Sequence, residues 1–385
     1  MRSLDEFAAA KLAAMEARNL RRQLGVTART SAIAVERNGR RLISFCCNDY
    51  LNLTHHPRVV AAAKDAIDRY GAGAGASRLI TGNHPLLAAL EARIARLKSA
   101  EDAAVFGSGY LANLGAIPTL VGPDDLILID ALSHACLFAG AKLSGATTLH
   151  YRHNDVAHLS ALLGAHRAAH ARALILTEGV FSMDGDLAPL PELASVAAAH
   201  DAWLMTDDAH GVGVVGEGRG SSFAFAAPVP VPLQMGTLSK AAGSYGGYLA
   251  TSRPVLELMR NRARTFVYST GLPPASAAAA LAAIDIIETE PQLCARPVQN
   301  AALFCRELGL PAPASAIVPL ILGDERRALA ASRALEEDGF LVVAIRPPTV
   351  PEGTARLRFT FTAGHAETDI RRLAEAVRAK VLAPA

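Results

Sequence analysis

A chain of 385 residues with 38 lysines and arginines against 36 aspartates and glutamates, a formal net charge of +2, is long enough for a large domain with a smaller one beside it. The charges are dispersed rather than gathered in runs, which argues against a nucleic-acid partner. Residues up to Leu24 mix acids and bases without an apolar core, unlike a secretory signal, and the Ala-rich segment after Pro274 reads as a buried helix rather than a membrane span.

The expectation is therefore a cytoplasmic enzyme. The five cysteines, an odd number with no CxxC pair, read as reduced buried thiols.

Residues 4–24 alternate apolar and charged positions at helical spacing, which predicts an amphipathic helix with Arg21 and Arg22 near its end, where cations suit the helix dipole. SAIAVERNGRRLISF reads as a hairpin about the Asn38-Gly39 turn. Two helices then flank a loop with Gly71, Gly73 and Gly75. A helix precedes it rather than a strand, so it is no dinucleotide fingerprint; it suits a loop that closes over substrate or packs on a partner subunit.

From Glu101 onward, apolar runs (AAVF, LILID, TTLHY, ALILTE) alternate with helical segments. That alternation predicts an α/β fold with a mostly parallel, doubly wound central sheet, whose ligands lie beyond the carboxyl ends of its strands. The long helix PPASAAAALAAIDIIETEP leads into a smaller α+β domain with strands AIVPLIL, FLVVAI and ARLRFTF. The expected division is a helix and hairpin over 1–50, a large α/β domain over 51–290 and a small C-terminal domain over 291–385.

The chemistry concentrates at the strand ends between Leu174 and Tyr245. Lys240, one of only six lysines, follows an apolar strand and precedes a run of small residues with no other charge. Desolvation there would lower its pKa toward that of a nucleophile or base. Asp207 and His210 end the strand before it, and Glu178, Ser182 and Thr237 share the same crevice.

A lysine for a Schiff base, a carboxylate for a pyridinium nitrogen and hydroxyls with backbone amides for a phosphate together suggest pyridoxal 5'-phosphate. Ser108, Gly109 and Tyr110 sit at a helix start able to bind that phosphate, and His134 lies where an imidazole can stack on the ring. Of Arg346, Arg356 and Arg358, one facing the cleft would bind an amino acid carboxylate. No metal is expected: the Asp184-Gly185-Asp186 segment lacks a calcium-ligand ladder, and Asp207, Asp208 and His210 have no second ligand pair at helical spacing.

With these residues in hand the chain resembles the α-oxoamine synthases, fold-type I pyridoxal phosphate transferases that condense an amino acid with an acyl thioester and release carbon dioxide. The resemblance spans nearly the whole chain: NDYL, GAGASRLITG, SGYLAN, LSHA, RHND, TEGVFSMDGD, DDAHGVG, TLSKAAGSYGG, YSTGLPP and IRPPTVPEGTARLR. The last motif and DDAHG most resemble members acting in biotin biosynthesis on L-alanine and a pimeloyl thioester of coenzyme A or acyl carrier protein. Rivals are members taking glycine with acetyl-CoA or serine with a long acyl group, and a non-catalytic partner subunit, against which Lys240 and Asp207 stand together.

The resemblance implies that Lys240 holds the cofactor, Asp207 its ring nitrogen and His134 its face. His210 and Ser182 would contact the phenolic oxygen, with Ser108, Gly109, Tyr110 and Thr237 around the cofactor. Arg358 would bind the amino acid carboxylate, Arg21 and Thr349 the acyl substrate, with Asn48 and Glu178 near the reacting centre. Ser269 and Thr270 would reach the phosphate of a neighbouring subunit, implying a homodimer. One departure is Asn52, where members usually carry glycine.

Overall fold

The computed structural model describes residues 2–22 and 24–382. Its first strands, β1 (Thr27–Arg29), β2 (Ala34–Arg37) and β3 (Arg40–Ser44), include the expected hairpin, with Asn38 and Gly39 both at positive φ in the turn. The central sheet is built from β4 (Asp102–Phe106), β5 (Leu126–Asp130), β6 (Thr147–Tyr151), β7 (Ala173–Glu178), β8 (Trp203–Asp207), β9 (Leu233–Thr237) and β10 (Gly247–Thr251). Their order is β4-β10-β9-β8-β7-β5-β6, and only β10 runs antiparallel to its neighbours. The fold is thus α/β with a mostly parallel, doubly wound sheet, as the alternation predicts.

Strands β5, β7, β8 and β9 are buried almost throughout, because helices cover both faces of the sheet; this is why they read as continuous apolar runs. The Ala-rich helix Pro274–Thr289 is indeed buried, with Ala277, Ala280 and Ala283 fully covered; its short side chains let the helices Pro57–Tyr70 and Pro85–Leu97 approach closely.

The small C-terminal sheet contains β11 (Ile317–Gly323), β13 (Val343–Ile345) and β14 (Ala355–Thr360). The run FLVVAI is not one strand. Its first part, β12 (Phe340–Leu341), pairs in parallel with β3, and then β13 crosses to pair with β14. The N-terminal hairpin is thereby stitched to the C-terminal unit, and Phe45 packs there against Phe340 and Phe361.

The N-terminal helix spans Arg2–Ala17, shorter than the periodicity predicts, and leaves Arg21 and Arg22 beyond its end. Asn19 takes a left-handed φ of 55°, and Leu20 N–H returns to Met15 O at 2.9 Å, which closes the helix early. Asn52 is also left-handed, at φ 57°, the conformation asparagine tolerates best after glycine. Its amide donates to Ala32 O at 2.9 Å and its oxygen accepts from Gly364 N–H at 2.6 Å, so the departure from glycine gains two ties.

Beneath the strand ends lies a buried ion pair, Lys98 Nζ to Asp208 Oδ2 at 3.0 Å, with both side chains essentially inaccessible. Asp208 also accepts from Ser221 N–H, and Lys98 donates to Arg219 O at 2.6 Å. Removing one partner strands the other charge, so Lys98→Met is expected to destabilise the fold by about 3–5 kcal/mol in denaturant unfolding. An unchanged midpoint would show that water reaches this pair.

Candidate active site

The carboxyl ends of β7, β8 and β9, the turn after β4 and the turn after β5 converge on a cavity of about 210 Å³. Ser108, Gly109, Tyr110, His134, Cys136, Glu178, Asp207, His210, Thr237 and Lys240 all border it. The sheet topology explains this gathering, since parallel strands deliver their last residues to one edge.

Ser108 caps the helix Gly109–Leu120 by accepting from Leu111 N–H at 3.1 Å, leaving the first amides of that helix toward the cavity with the positive end of its dipole. Gly247 packs directly beneath this turn: a Cβ there would overlap the backbone of Ser108 and Gly109. Thr237 Oγ1 is fixed by Gly246 O at 2.9 Å and lies 2.7 Å from Ser239 Oγ.

Asp207 is buried at the end of β8. Its Oδ2 accepts from Asn113 Nδ2 at 2.8 Å and from the Cys136 thiol at 3.7 Å, and its Oδ1 from Ala209 N–H at 3.1 Å. Lys240 Nζ lies 2.8 Å from His210 Nε2. Burial lowers the pKa of the lysine; Asp207 and Glu178 oppose that shift and Arg358 adds to it. Burial pushes His210 well below its ordinary value, helped by Lys240, Arg358 and His134, so its ring is neutral at pH 7.

His210 Nδ1 meets Tyr50 Oη at 2.7 Å, Tyr50 Oη lies 3.4 Å from Asn48 Oδ1, and Arg358 reaches Tyr50 at 3.5 Å and Asn48 at 3.2 Å. One assignment satisfies every group: Lys240 donates to Nε2, Nδ1–H to the phenol, the phenol to Asn48, and Arg358 to both. Arg358 is further held by Ser182 O, at 2.5 Å from its Nε. Arg356, by contrast, turns to Asp184, and Arg346 to the backbone of Asn19.

Glu178 is buried, with Oε2 accepting from Ser182 N–H at 3.0 Å and Oε1 without a hydrogen-bond partner among the described residues. Burial, with Asp207 nearby, raises its pKa to about 8 although Lys240 opposes this, so it is mostly protonated at neutral pH. His134 caps the helix Ala135–Ser144 through Nδ1, and burial lowers its pKa against the pull of Asp207.

His134 also borders a second, larger cavity of about 570 Å³, together with Ser182, Thr349, Arg22 and Phe138. Here Arg22 donates to Thr349 Oγ1 at 2.7 Å, whereas Arg21 faces Glu16 and does not line the cavity. Ser182 faces this larger space rather than the smaller one. Ser269 and Thr270 stand apart from both: Thr270 bridges Ser77 of the Gly-rich loop, and Gly271 N–H donates to Ala76 O.

Tyr50, Asn113 and Cys136 were not singled out by sequence reasoning. Tyr50 and Asn113 sat inside the NDYL and SGYLAN motifs as if they were ordinary core residues, and only the three-dimensional path from Lys240 to Arg358 gives Tyr50 its place.

The residues fit pyridoxal phosphate. Among the described residues, a lysine without an acid partner, a buried carboxylate held by three donors, and helix-start amides share one cavity, and Glu178 Oε1 has no hydrogen-bond partner there. Among the described residues no helix is long and apolar enough to cross a membrane, and no group of acids, histidines or cysteines could hold a metal ion.

A model of the aminotransferase class I and II family matches residues 40–377. The chain is 67% identical to 8-amino-7-oxononanoate synthase of Methylocella silvestris, over 89% of this chain and 97% of that one. It is 61% identical to the enzyme of that name from Beijerinckia indica, over 98% of each. Among solved structures, a lysine-to-alanine variant of serine palmitoyltransferase from S. paucimobilis, with a pyridoxal phosphate-myriocin aldimine bound, superposes with a TM-score of 0.91, at 30% identity over 99% of each chain.

Proposed function

The chain belongs to the class I and II aminotransferases and, within them, to the α-oxoamine synthases, which use pyridoxal 5'-phosphate, and from that premise we propose that it condenses L-alanine with a pimeloyl thioester to give 8-amino-7-oxononanoate, carbon dioxide and the free thiol, a step toward biotin. The single observation that carries this reading is the shared border of the two cavities at His134, which sets a lysine-bearing pocket against a space large enough for an extended acyl chain.

When bound, the cofactor supplies an electron sink for negative charge developing at the Cα of the amino acid. Lys240 is the base: burial keeps its amine ready to take the Cα proton, and neutral His210 accepts a hydrogen bond from it without adding charge. Asp207 would hold a proton on the ring nitrogen, His134 would cover the ring, and the amides at Gly109 and Tyr110 with Thr237 would take the phosphate. Arg358 orients the amino acid carboxylate until it leaves as carbon dioxide, after which the Lys240 amine returns a proton to Cα. The acyl chain lies in the larger cavity between Phe138 and Thr349 while its carbonyl carbon bonds to Cα and the thiol departs.

Half-buried Ser269 and exposed Thr270, beside the Gly-rich loop, serve the phosphate of a second subunit, so the working form is a homodimer. The large domain over 51–290 supplies the cofactor pocket, and the small one over 291–385 contributes Arg358 and Thr349.

A panel of amino acids and acyl thioesters tests the reading, with the cofactor's absorbance followed throughout. Alanine with pimeloyl thioester should be preferred. Preferential turnover of serine with a long acyl donor, the pairing the S. paucimobilis likeness favours, would overturn the substrate assignment and leave the family intact. Arg358→Lys keeps the charge but loses the planar fork, so the KM for alanine is expected to rise about tenfold or more with a smaller change in kcat. Steady-state kinetics in alanine decides it.

A further inference from the structure

His153, in the turn after β6, is gripped by two carboxylates from separate elements. Its Nδ1 lies 3.0 Å from Asp130 Oδ1, at the end of β5, and its Nε2 lies 2.9 Å from Asp186 Oδ2, at the base of the 181–187 turn. Each carboxylate anchors one wall of the larger cavity.

Asp130 Oδ1 also accepts from Leu132 N–H at 2.8 Å and its carbonyl from Ser133 N–H, so it shapes the 131–135 wall that ends in His134. Asp186 O accepts from Phe181 N–H, and Val180 bridges Leu187, so the base of the opposite wall closes on Asp186 while Ser182, Met183 and Asp184 project into the cavity. The tip of that wall is held from the other side by Arg356 and Arg358.

We propose that His153 is a positioning residue for the acyl substrate, setting the separation of these two walls by donating to a carboxylate on each; the role rests on the acyl cavity assigned above. Asn154 reinforces the clamp, with its N–H to Asp130 Oδ2 at 2.8 Å and its amide to Asp186 Oδ2 at 2.8 Å. The Phe181 ring stands edge-on to the imidazole at 4.4 Å, Arg152 is turned to Asp155, and the Tyr151 hydroxyl is spent on Leu176 O.

The groups facing His153 are thus two acids, one amide and an apolar ring. Burial alone would lower the imidazole pKa, but Asp130 and Asp186 override it and hold it at about 10. His153 is therefore an imidazolium at neutral pH, with both nitrogens donating. The stability it lends is complete below its ordinary pKa of 6.5 and is lost as pH rises through about 10.

The test is His153→Gln, which can donate to one carboxylate but presents an oxygen to the other. In the pyridoxal-phosphate-loaded enzyme, KM for pimeloyl thioester should rise about tenfold, while KM for alanine and cofactor affinity stay within about twofold. Amide exchange should quicken in both 131–135 and 182–187. The wild-type acyl KM should be level between about pH 7 and 9 and climb toward pH 10, a climb absent from the variant.

His153→Arg, able to reach both acids, should recover most of the loss. Asp186→Asn, which leaves His153 held mainly on Asp130, should raise the acyl KM about threefold even where the glutamine variant fails to fold. An unchanged acyl KM, or parallel loss for both substrates with unaltered exchange in the two walls, overturns the proposal. If the wild type does not turn over pimeloyl thioester, the substrate reading fails instead, and exchange in the two walls still decides whether His153 clamps them.

Discussion

Replacing Lys240 by alanine is expected to lower turnover at least about a thousandfold, the upper range for loss of a positioned general base. The amine sits 2.8 Å from His210 Nε2 and is shifted down by burial; its loss frees that ring nitrogen, but burial holds His210 well below its ordinary pKa, too weak a base to take over the proton transfer. His210 is already hydrogen-bonded to Tyr50, and Glu178 is held protonated by its burial near Asp207.

The purified wild type should be yellow, absorbing at roughly 410–430 nm, and borohydride should fix the cofactor covalently to Lys240. The variant should retain its fold, bind the cofactor reversibly and resist such fixing. A Lys240→Ala protein with turnover near wild type would refute the assigned base.

The second large effect belongs to Asp207→Asn, for which turnover should fall about 10²–10⁴-fold with only a modest change in cofactor affinity. The substitution preserves shape, and the Asn113 amide can still donate to the new side-chain oxygen. What disappears is the negative charge proposed to keep a proton on the ring nitrogen. The loss should therefore appear in kcat rather than in KM for alanine, and the pH dependence of the bound cofactor's spectrum should move with it. Equal loss in kcat and cofactor affinity would mean that Asp207 serves chiefly to hold the cofactor.

Much of this site was legible in one dimension because parallel strands place chemistry at their ends. Lys240, Asp207, Glu178 and Thr237 each close or follow an apolar run, and the sheet brings them to one cavity. Residues whose role depends on contacts across the chain were not legible. Tyr50 lies 160 positions from His210 and 308 from Arg358, and nothing local marks its hydroxyl as a link between them.

The N-terminal helix was overextended for a related reason: apolar periodicity continues past Ala17, but the left-handed turn at Asn19 ends it. FLVVAI likewise read as one strand, because side-chain alternation cannot reveal that its two halves pair with different partners.

That divided strand has a consequence for synthesis on the ribosome. The hairpin at β2 and β3, which ends at Ser44, is made long before the edge that completes its sheet, β12 at Phe340–Leu341. Until then β3 offers unpaired peptide groups to any passing chain. Completion of the hairpin's sheet therefore waits on the small C-terminal unit, and a nascent polypeptide stalled before Phe340 should be a preferred client of holding chaperones.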